Sequence, residues 1–256
     1  MKDEADVSLL DRAMRRAAAS ACGTTDLRLD LPSPPAVRMR NLVHRGAPRP
    51  ILKVASLKMD RVVQCESLLE AEVALLLDAS PNVEEFAEQA LRVNYLVEGE
   101  WRTHVPDFAV LCRNELSFCE VKYGAKVDAE AIEREQRLKP VLASIGAGYR
   151  TLTESQIGRV EVSNAFAVLR RARHADCHLL SLSILDQIRK VCVTTLGGSG
   201  WTKAGSAEAA CVARLIVQGK ANVDWFAGPL TDESRVWFVG ESIREEKLPW
   251  QPDLSV

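Results

Sequence analysis

Two segments rich in apolar residues, 103–112 and 115–123, are separated only by Arg113 and Asn114. A two-residue link between extended segments is typical of a β-hairpin, because parallel strands need a much longer connection. Both segments carry apolar residues around their charged positions, as strands inside a core do. We therefore predict a hairpin that lies within a folded core.

The hairpin determines which charged residues face each other. If the two linking residues form its tip, Cys112 pairs with Glu115. The same register then places Asp107 directly opposite Glu120, with their side chains on one face. Because side chains alternate along a strand, Lys122 shares that face. We expect the two acids and the lysine to converge, whereas a register slip of one residue would separate them.

Two carboxylates that lie directly opposite each other on paired strands repel each other unless a cation lies between them. Mg²⁺ prefers oxygen ligands and keeps several waters, so two or three carboxylates suit it. Such an ion polarises a phosphoryl oxygen, and a neighbouring lysine can orient water or neutralise transition-state charge. The pattern is therefore that of phosphodiester hydrolysis. The alternative is a solvated strand face, since P-D followed by E-x-K also arises by chance.

A third acid, Glu70, lies on the helix predicted for residues 67–77. A glutamate on a helix beside the sheet is where a third metal ligand would be needed. The segment Ser67-Leu-Leu-Glu70 also fits a capping box, in which the glutamate stabilises the start of the helix. Both roles remain open from the pattern.

The patterns around the hairpin predict an α/β fold. Helices at 67–77 and 129–145 and a strand at 149–153 complete an α-β-β-α-β order around a mixed sheet. Residues 1–35 are expected to form a short amphipathic helix and then a turn-rich segment. Beyond residue 156 we predict a small winged-helix-like domain, with helices at 165–172, 179–191 and 207–218, a flexible glycine break at 197–200, and a hairpin of 223–226 with 235–239.

The net charge of −2 argues against nucleic-acid binding until its distribution is considered. Residues 36–61 carry a formal charge of +6 and the remainder carries −8. A basic segment in an acidic chain predicts contact with a polyanion, and a solvated linker is the alternative. Its basic residues are Arg38, Arg40, Arg45, Arg49, Lys53, Lys58 and Arg61.

Membrane and secretory signals are missing from the sequence. No apolar stretch approaches the roughly 20 residues that a bilayer requires, and the acidic N-terminus does not resemble a signal peptide. The seven cysteines are scattered and include no C-x-x-C pair. We expect reduced thiols in a cytosolic protein.

Six segments, in chain order, resemble the N-terminal nuclease domain of the TnsA family. These proteins are the endonuclease subunits of heteromeric transposases and have a PD-(D/E)xK, restriction-endonuclease-like fold. The segments are Ser56-Leu-Lys-Met-Asp-Arg61, Glu66-Ser-Leu-Leu-Glu70, Val83-Glu-Glu-Phe86 with Gln89, Val105-Pro-Asp-Phe108, Glu120-Val-Lys122 and Thr151-Leu-Thr-Glu154. Two positions depart from the family pattern, which has proline at Ala90 and often threonine or tyrosine at Val105, and they leave the subgroup open.

The resemblance implies a role for each matching residue. Glu70 would be the acid on the helix, and Asp107 and Glu120 would be the metal-binding acids. The backbone carbonyl of Val121 would be a further ligand, Lys122 the catalytic lysine and Gln89 a supporting amide. The implied cofactor is Mg²⁺, with Mn²⁺ as a substitute. The basic residues of the segment 36–61 then become a track for DNA phosphates.

The resemblance also implies an organisation and a function. Residues 1–54 would pack on a nuclease core at 55–158, followed by a winged-helix-like, partner-binding domain at 159–256. The expected function is cleavage of double-stranded DNA at the 5′ ends of a transposon, beside a DDE transposase subunit and an ATPase regulator in the bacterial cytoplasm. The alternatives are another PD-(D/E)xK nuclease, of a phage or a defence system, or a catalytically inert DNA-binding or scaffold subunit.

Overall fold

The computed structural model describes residues 8–33, 38–39, 51–173, 178–201 and 206–239, without the side chains of 178–180 and 238. The chain divides into two compact units. One is formed by the chain up to Ala71 with Val83–Gln156, and the other by Glu72–Asn82 with the chain from Ile157 onward. In the part of the chain that the structure describes, no helix has the length and apolar character needed to cross a membrane.

The first unit contains three sheets and the helices around them. Its elements are α1 Leu9–Ala21, β1 Leu27–Asp30, β2 Leu52–Ser56, β3 Arg61–Cys65, the start of α2 Leu68–Ala79, β4 Val83–Glu88, β5 Arg92–Val97, β6 Glu100–His104, β7 Phe108–Cys112, β8 Glu115–Val121, α3 Ala129–Ala143 and β9 Ala147–Leu152. The sheet orders are β1-β5-β6, β2-β3 and β4-β7-β8-β9.

The hairpin of β7 and β8 has the predicted register. Cys112 lies opposite Glu115, and the two strands are antiparallel. Arg113 and Asn114 form the tip with φ angles of 53° and 63°. Positive φ at both positions is typical of the two-residue turn whose twist matches that of the flanking strands.

The predicted strand 103–112 is wrong in one respect, because the structure divides it into two strands. β6 ends at His104 and β7 begins at Phe108. Pro106 lies in the gap; it has no N–H to donate and also restricts the backbone of the residue before it. The chain therefore leaves one sheet and enters another immediately before the hairpin.

The four-stranded sheet is mixed, as predicted. β4 and β8 both pair antiparallel with β7, whereas β9 pairs parallel with β8. The parallel pair is possible because α3 provides the crossover between β8 and β9. The ladder continues past the end of β8, where the Lys122 N–H donates to the Leu152 carbonyl at 2.9 Å.

One face of this sheet packs against the apolar core of the unit. Alternate residues of β7 and β8 contribute to it, together with residues at helical spacing from α1 and α3. They include Ala109, Leu111, Leu116, Phe118, Leu10, Met14, Leu138 and Leu142. The same alternation, continued along the two strands, leads to Asp107 and Glu120.

The segment after α1 corrects the prediction that residues up to 35 are turn-rich. Residues 27–30 form β1, which pairs antiparallel with β5. Leu27 and Leu29 are buried, and Arg28 and Asp30 are exposed. This alternation is a strand signal, but four residues are too few to distinguish it from a turn.

The second unit combines helices with a three-stranded antiparallel sheet. Its elements are α4 Arg159–Ala172, α5 His178–Val191, β10 Val193–Thr195, α6 Ala207–Val217, β11 Ala221–Val223 and β12 Arg235–Phe238, with sheet order β10-β12-β11. The three helices are confirmed, although α4 starts earlier than expected. The hairpin is confirmed in part, because its first strand is Ala221–Val223 and not the predicted 223–226. The predicted flexible break at 197–200 is wrong, since residues 197–199 form a 3₁₀ turn. The Gly197 N–H donates to the Asp232 carbonyl at 2.8 Å, which ties this turn to the chain before β12.

The described cysteines are free thiols, in agreement with the sequence prediction. Burial raises the pKa of the Cys119 thiol to about 11, so this cysteine stays protonated in the core.

The hairpin tip can be tested with two substitutions at one position. Arg113→Pro forces φ to about −65° where the native value is positive, so we expect it to lower the free energy of unfolding by more than about 1 kcal/mol. Arg113→Gly permits the native φ and should remain within about 1 kcal/mol of the parent. Urea denaturation measures both, and equal losses for the two variants would contradict the proposed tip.

Candidate functional site

Asp107 and Glu120 lie at the same end of the β7–β8 hairpin. The strand register, extended by one residue, places them opposite each other. The Val121 N–H donates to Asp107 Oδ2 at 2.7 Å. Burial raises the pKa of Asp107 well above its usual value, and repulsion by Glu120 and Glu70 raises it further. The three acids therefore lie within one shared electrostatic field.

Glu70 forms the helix cap that the sequence left open. The Glu70 N–H donates to Ser67 Oγ at 3.1 Å, and the Ser67 hydroxyl donates to Glu70 Oε1 at 2.8 Å. Glu70 Oε2 also accepts a 2.7 Å bond from the Glu66 N–H. Burial raises the pKa of Glu70, while these hydrogen bonds oppose the rise. A capping role and an electrostatic role in the acid cluster thus coexist.

Glu120 lies beside a histidine, an arginine and a lysine. Its Oε2 lies 3.1 Å from His104 Nε2, and its Oε1 lies 3.7 Å from Arg134 Nη2 and 4.0 Å from Lys122 Nζ. The Glu120 side chain is only 11% exposed. A buried carboxylate is favourable only when polar or oppositely charged partners surround it.

His104, Arg134 and Tyr149 were not predicted from the sequence. Tyr149 Oη lies 3.1 Å from His104 Nε2. Burial disfavours the charged form of Arg134, but Glu120 and Tyr149 together raise its pKa. For Arg134 the sequence did contain a signal. Its helical spacing places it on the buried stripe of α3 with Ala131 and Leu138. A charged residue on such a stripe needs a buried partner.

Gln89 connects two parts of the acid cluster. Its backbone N–H donates to the Asp107 carbonyl at 2.9 Å, and its Nε2 donates to Glu66 Oε1 at 2.8 Å. Its φ of 47° is unusual for a residue other than glycine. These contacts suit the supporting role that the family resemblance implied.

The predicted phosphate track contains two arginines that the fold uses internally. Arg61 donates twice to Glu88, at 2.7 and 2.8 Å, and Arg38 Nη1 lies 3.5 Å from the same carboxylate. Glu88 is 3% exposed, so this pairing compensates a buried charge. Lys53 is exposed on β2, and Lys58 is partly buried in the β2–β3 connection. The three remaining candidates, Arg40, Arg45 and Arg49, lie outside the described residues.

The donor set has the chemistry that a hard divalent cation prefers, because Glu70, Asp107 and Glu120 all offer carboxylate oxygens. A cation among them would relieve the repulsion that raises the pKa of Asp107. Within the described ranges, however, no three acidic, histidine or cysteine side chains are close enough to form a ready metal-binding group. Each acid is instead held by protein partners, Glu70 by its helix cap, Asp107 by the Val121 N–H, and Glu120 by its neighbours His104, Arg134 and Lys122.

The chain matches none of the models of known protein families, and no curated protein sequence matches it. The resemblance to TnsA therefore stays a prediction from the sequence.

The raised pKa of Asp107 predicts a pH-dependent stability difference. Protonation relieves the burial of a charge and the repulsion, so this contribution favours the fold below the usual pKa of aspartate, 3.8, and is lost as the pH rises through the elevated value. Asp107→Asn keeps an acceptor for the Val121 N–H and should be more stable than the parent at pH 8 in EDTA, by about 1 kcal/mol or more. The difference should shrink as the pH falls. Denaturation curves at several pH values measure it, and a constant difference would contradict the repulsion.

The two roles of Glu70 can be separated by neighbouring substitutions. Ser67→Ala removes the cap and should cost about 1 kcal/mol of stability, while Mn²⁺ affinity stays within about threefold because every carboxylate remains. Glu70→Gln retains an acceptor for the helix but should weaken Mn²⁺ binding at least about tenfold. Calorimetric titration with Mn²⁺ and denaturation curves provide both readouts. If Glu70→Gln binds Mn²⁺ as tightly as the parent does, Glu70 acts only as a helix cap.

Proposed function

We propose that this protein is a Mg²⁺-dependent DNA endonuclease of the TnsA type. The observation that carries the proposal is the placement of Asp107 opposite Glu120, at the end of one buried hairpin, with Lys122 beside them. Like charges concentrated in a buried position are costly and are typical of catalytic sites. Glu70 contributes to the same field from a helix, as the family pattern requires.

A restriction-endonuclease-like fold for the first unit is part of the proposal. The mixed sheet β4-β7-β8-β9, with a helix before it and the crossover helix α3 within it, supports this assignment. The acids lie at the ends of β7 and β8, where side chains leave the apolar core while the strand register still holds them together. Such support keeps a site geometrically precise.

Glu70, Asp107, Glu120 and the carbonyl of Val121 would hold the cation, which supplies polarisation of a phosphoryl oxygen and acidifies a water. The protein's own residues do the positioning. The Val121 N–H and the backbone of Gln89 hold Asp107 from both sides. Lys122 is anchored by its backbone bond to Leu152, and its ammonium can orient the attacking water or neutralise charge on the phosphate.

The proposed substrate is the 5′ end of a transposon in double-stranded DNA, and the proposed partners are a DDE transposase and an ATPase regulator. We assign the second unit a winged-helix-like, partner-binding role. Most residues of α6 are buried, on more than one side of the helix, including Ala209, Ala210, Cys211, Val212, Ala213, Leu215 and Ile216. A helix that reads the major groove must expose a face to DNA, so this burial argues against α6 as a recognition helix.

A catalytically inert, DNA-binding subunit is the second candidate. It is favoured by one observation, the pairing of Glu120 with His104 and Arg134, which satisfies this acid without a metal. A nuclease of a phage or a defence system would share the same site chemistry. Such an enzyme would cleave DNA that lacks transposon ends without needing a transposase.

A cleavage assay on transposon-end DNA with Mg²⁺, with and without the transposase subunit, tests the proposal. Asp107→Ala and Lys122→Ala should each reduce cleavage at least about 100-fold while DNA binding is retained. Lys126→Ala is the matched control, because this exposed lysine lies four residues after Lys122. EDTA should abolish cleavage, and Mn²⁺ should restore it. Unchanged cleavage in both site variants would rule out the mechanism, and no cleavage by the parent with its partner would favour the inert subunit.

A further inference from the structure

Arg134 is a nearly buried cation directed at an acid that the proposed function assigns to a metal. Its side chain is 13% exposed, and its Nη2 lies 3.7 Å from Glu120 Oε1. A guanidinium and a divalent cation repel each other and compete for the same carboxylate oxygen. The site therefore contains a built-in competitor for its own metal.

The pairing of Arg134 with Glu120 is loose enough to be exchanged. The distance of 3.7 Å exceeds that of a hydrogen bond, whereas Arg61 lies 2.7 Å from Glu88 in the other buried pair. The Nε atom of Arg134 is buried and has no hydrogen-bond partner among the described residues. The guanidinium thus keeps one unused N–H donor in addition to the Nη2 group that faces Glu120.

Arg134 also has neighbours other than Glu120. Tyr149 is near enough to raise the pKa of Arg134, and the exposed Glu130, one turn earlier on α3, has its Oε1 3.5 Å from Arg134 Nη1. The helix backbone on both sides is fixed by the buried residues Ala131 and Leu138. Arg134 can therefore remain at the site if Glu120 turns away from it.

We infer that Arg134 couples metal binding to DNA binding. It neutralises Glu120 in the metal-free protein, and it passes to a phosphate of the bound DNA when a divalent cation takes Glu120. The inference rests on the proposed function, since it requires both a metal and a phosphodiester at this site. Guanidinium is well suited to the exchange, because its fork binds carboxylate and phosphate in the same manner.

The inference has a thermodynamic consequence. Without DNA, Arg134 weakens the binding of the metal ion. With DNA, a phosphate between the two cations removes that opposition, so each ligand strengthens the binding of the other by the same factor. Metal loading then becomes efficient only when substrate is present.

Titration of the DNA-free protein with Mn²⁺ alone, followed by calorimetry or electron paramagnetic resonance, tests whether Arg134 opposes metal binding. Arg134→Gln should bind Mn²⁺ about fivefold more tightly than the parent, as expected for loss of a charge interaction of about 1 kcal/mol. Arg134→Lys keeps the charge and should remain within about twofold. The matched control is Arg137→Gln, an exposed arginine on the same helix, which should match the parent.

The effect of DNA on metal binding is tested in the Lys122→Ala background, in which the duplex is expected to stay intact. A transposon-end duplex should increase the Mn²⁺ affinity of Lys122→Ala about fivefold or more, and the increase should largely disappear in the double variant with Arg134→Gln. If that variant does not fold, Arg134→Met retains the apolar stem that packs in the protein and takes its place.

The outcomes separate the inference from the proposed function. Unchanged or weaker Mn²⁺ binding in Arg134→Gln, or an undiminished effect of the duplex, overturns the coupling alone. Absence of Mn²⁺ binding in the parent, or binding that survives Asp107→Asn unaltered, overturns the proposed metal site and the coupling with it.

Discussion

Repulsion between Asp107 and Glu120 is the constraint around which the first unit is organised. Two acids on facing strands would separate in a free peptide, because each carboxylate disfavours ionisation of the other. Here the register of an antiparallel hairpin holds them together. Backbone donation by Val121 stabilises one acid, and His104, Arg134 and Lys122 compensate the other. The fold thus contains a concentrated negative charge that a simple core would exclude.

The compensation comes from elements far apart in the sequence. His104 ends β6, Arg134 lies in the middle of α3, and Lys122 follows β8. Lys122 is local to Glu120, whereas His104 and Arg134 reach it only when β6 and α3 have packed beside β8. Stability and site chemistry are coupled in this arrangement, because the packing that buries the acids also brings the cations to them.

The parts of this arrangement that depend on local chain geometry could be predicted from the sequence. The hairpin register follows from a two-residue link and the alternation of side chains, so Asp107 could be placed opposite Glu120. The start of α2 follows from Ser67 and Glu70, whose spacing defines a cap. The break at Pro106 could also have been predicted, because proline has no N–H to donate to a strand pair.

Long-range pairing could not be predicted in the same way. The basic segment gave no sign that Arg61 would neutralise Glu88, since nothing local links residues on separate strands of different sheets. A formal charge counts side chains regardless of their partners, whereas attraction for a polyanion depends on charges that remain uncompensated. Two arginines of the predicted phosphate track are consumed inside the fold. If the proposed function is correct, the cations beside the acids would contribute to the attraction of DNA, because they would become available to phosphate once another cation holds the carboxylates.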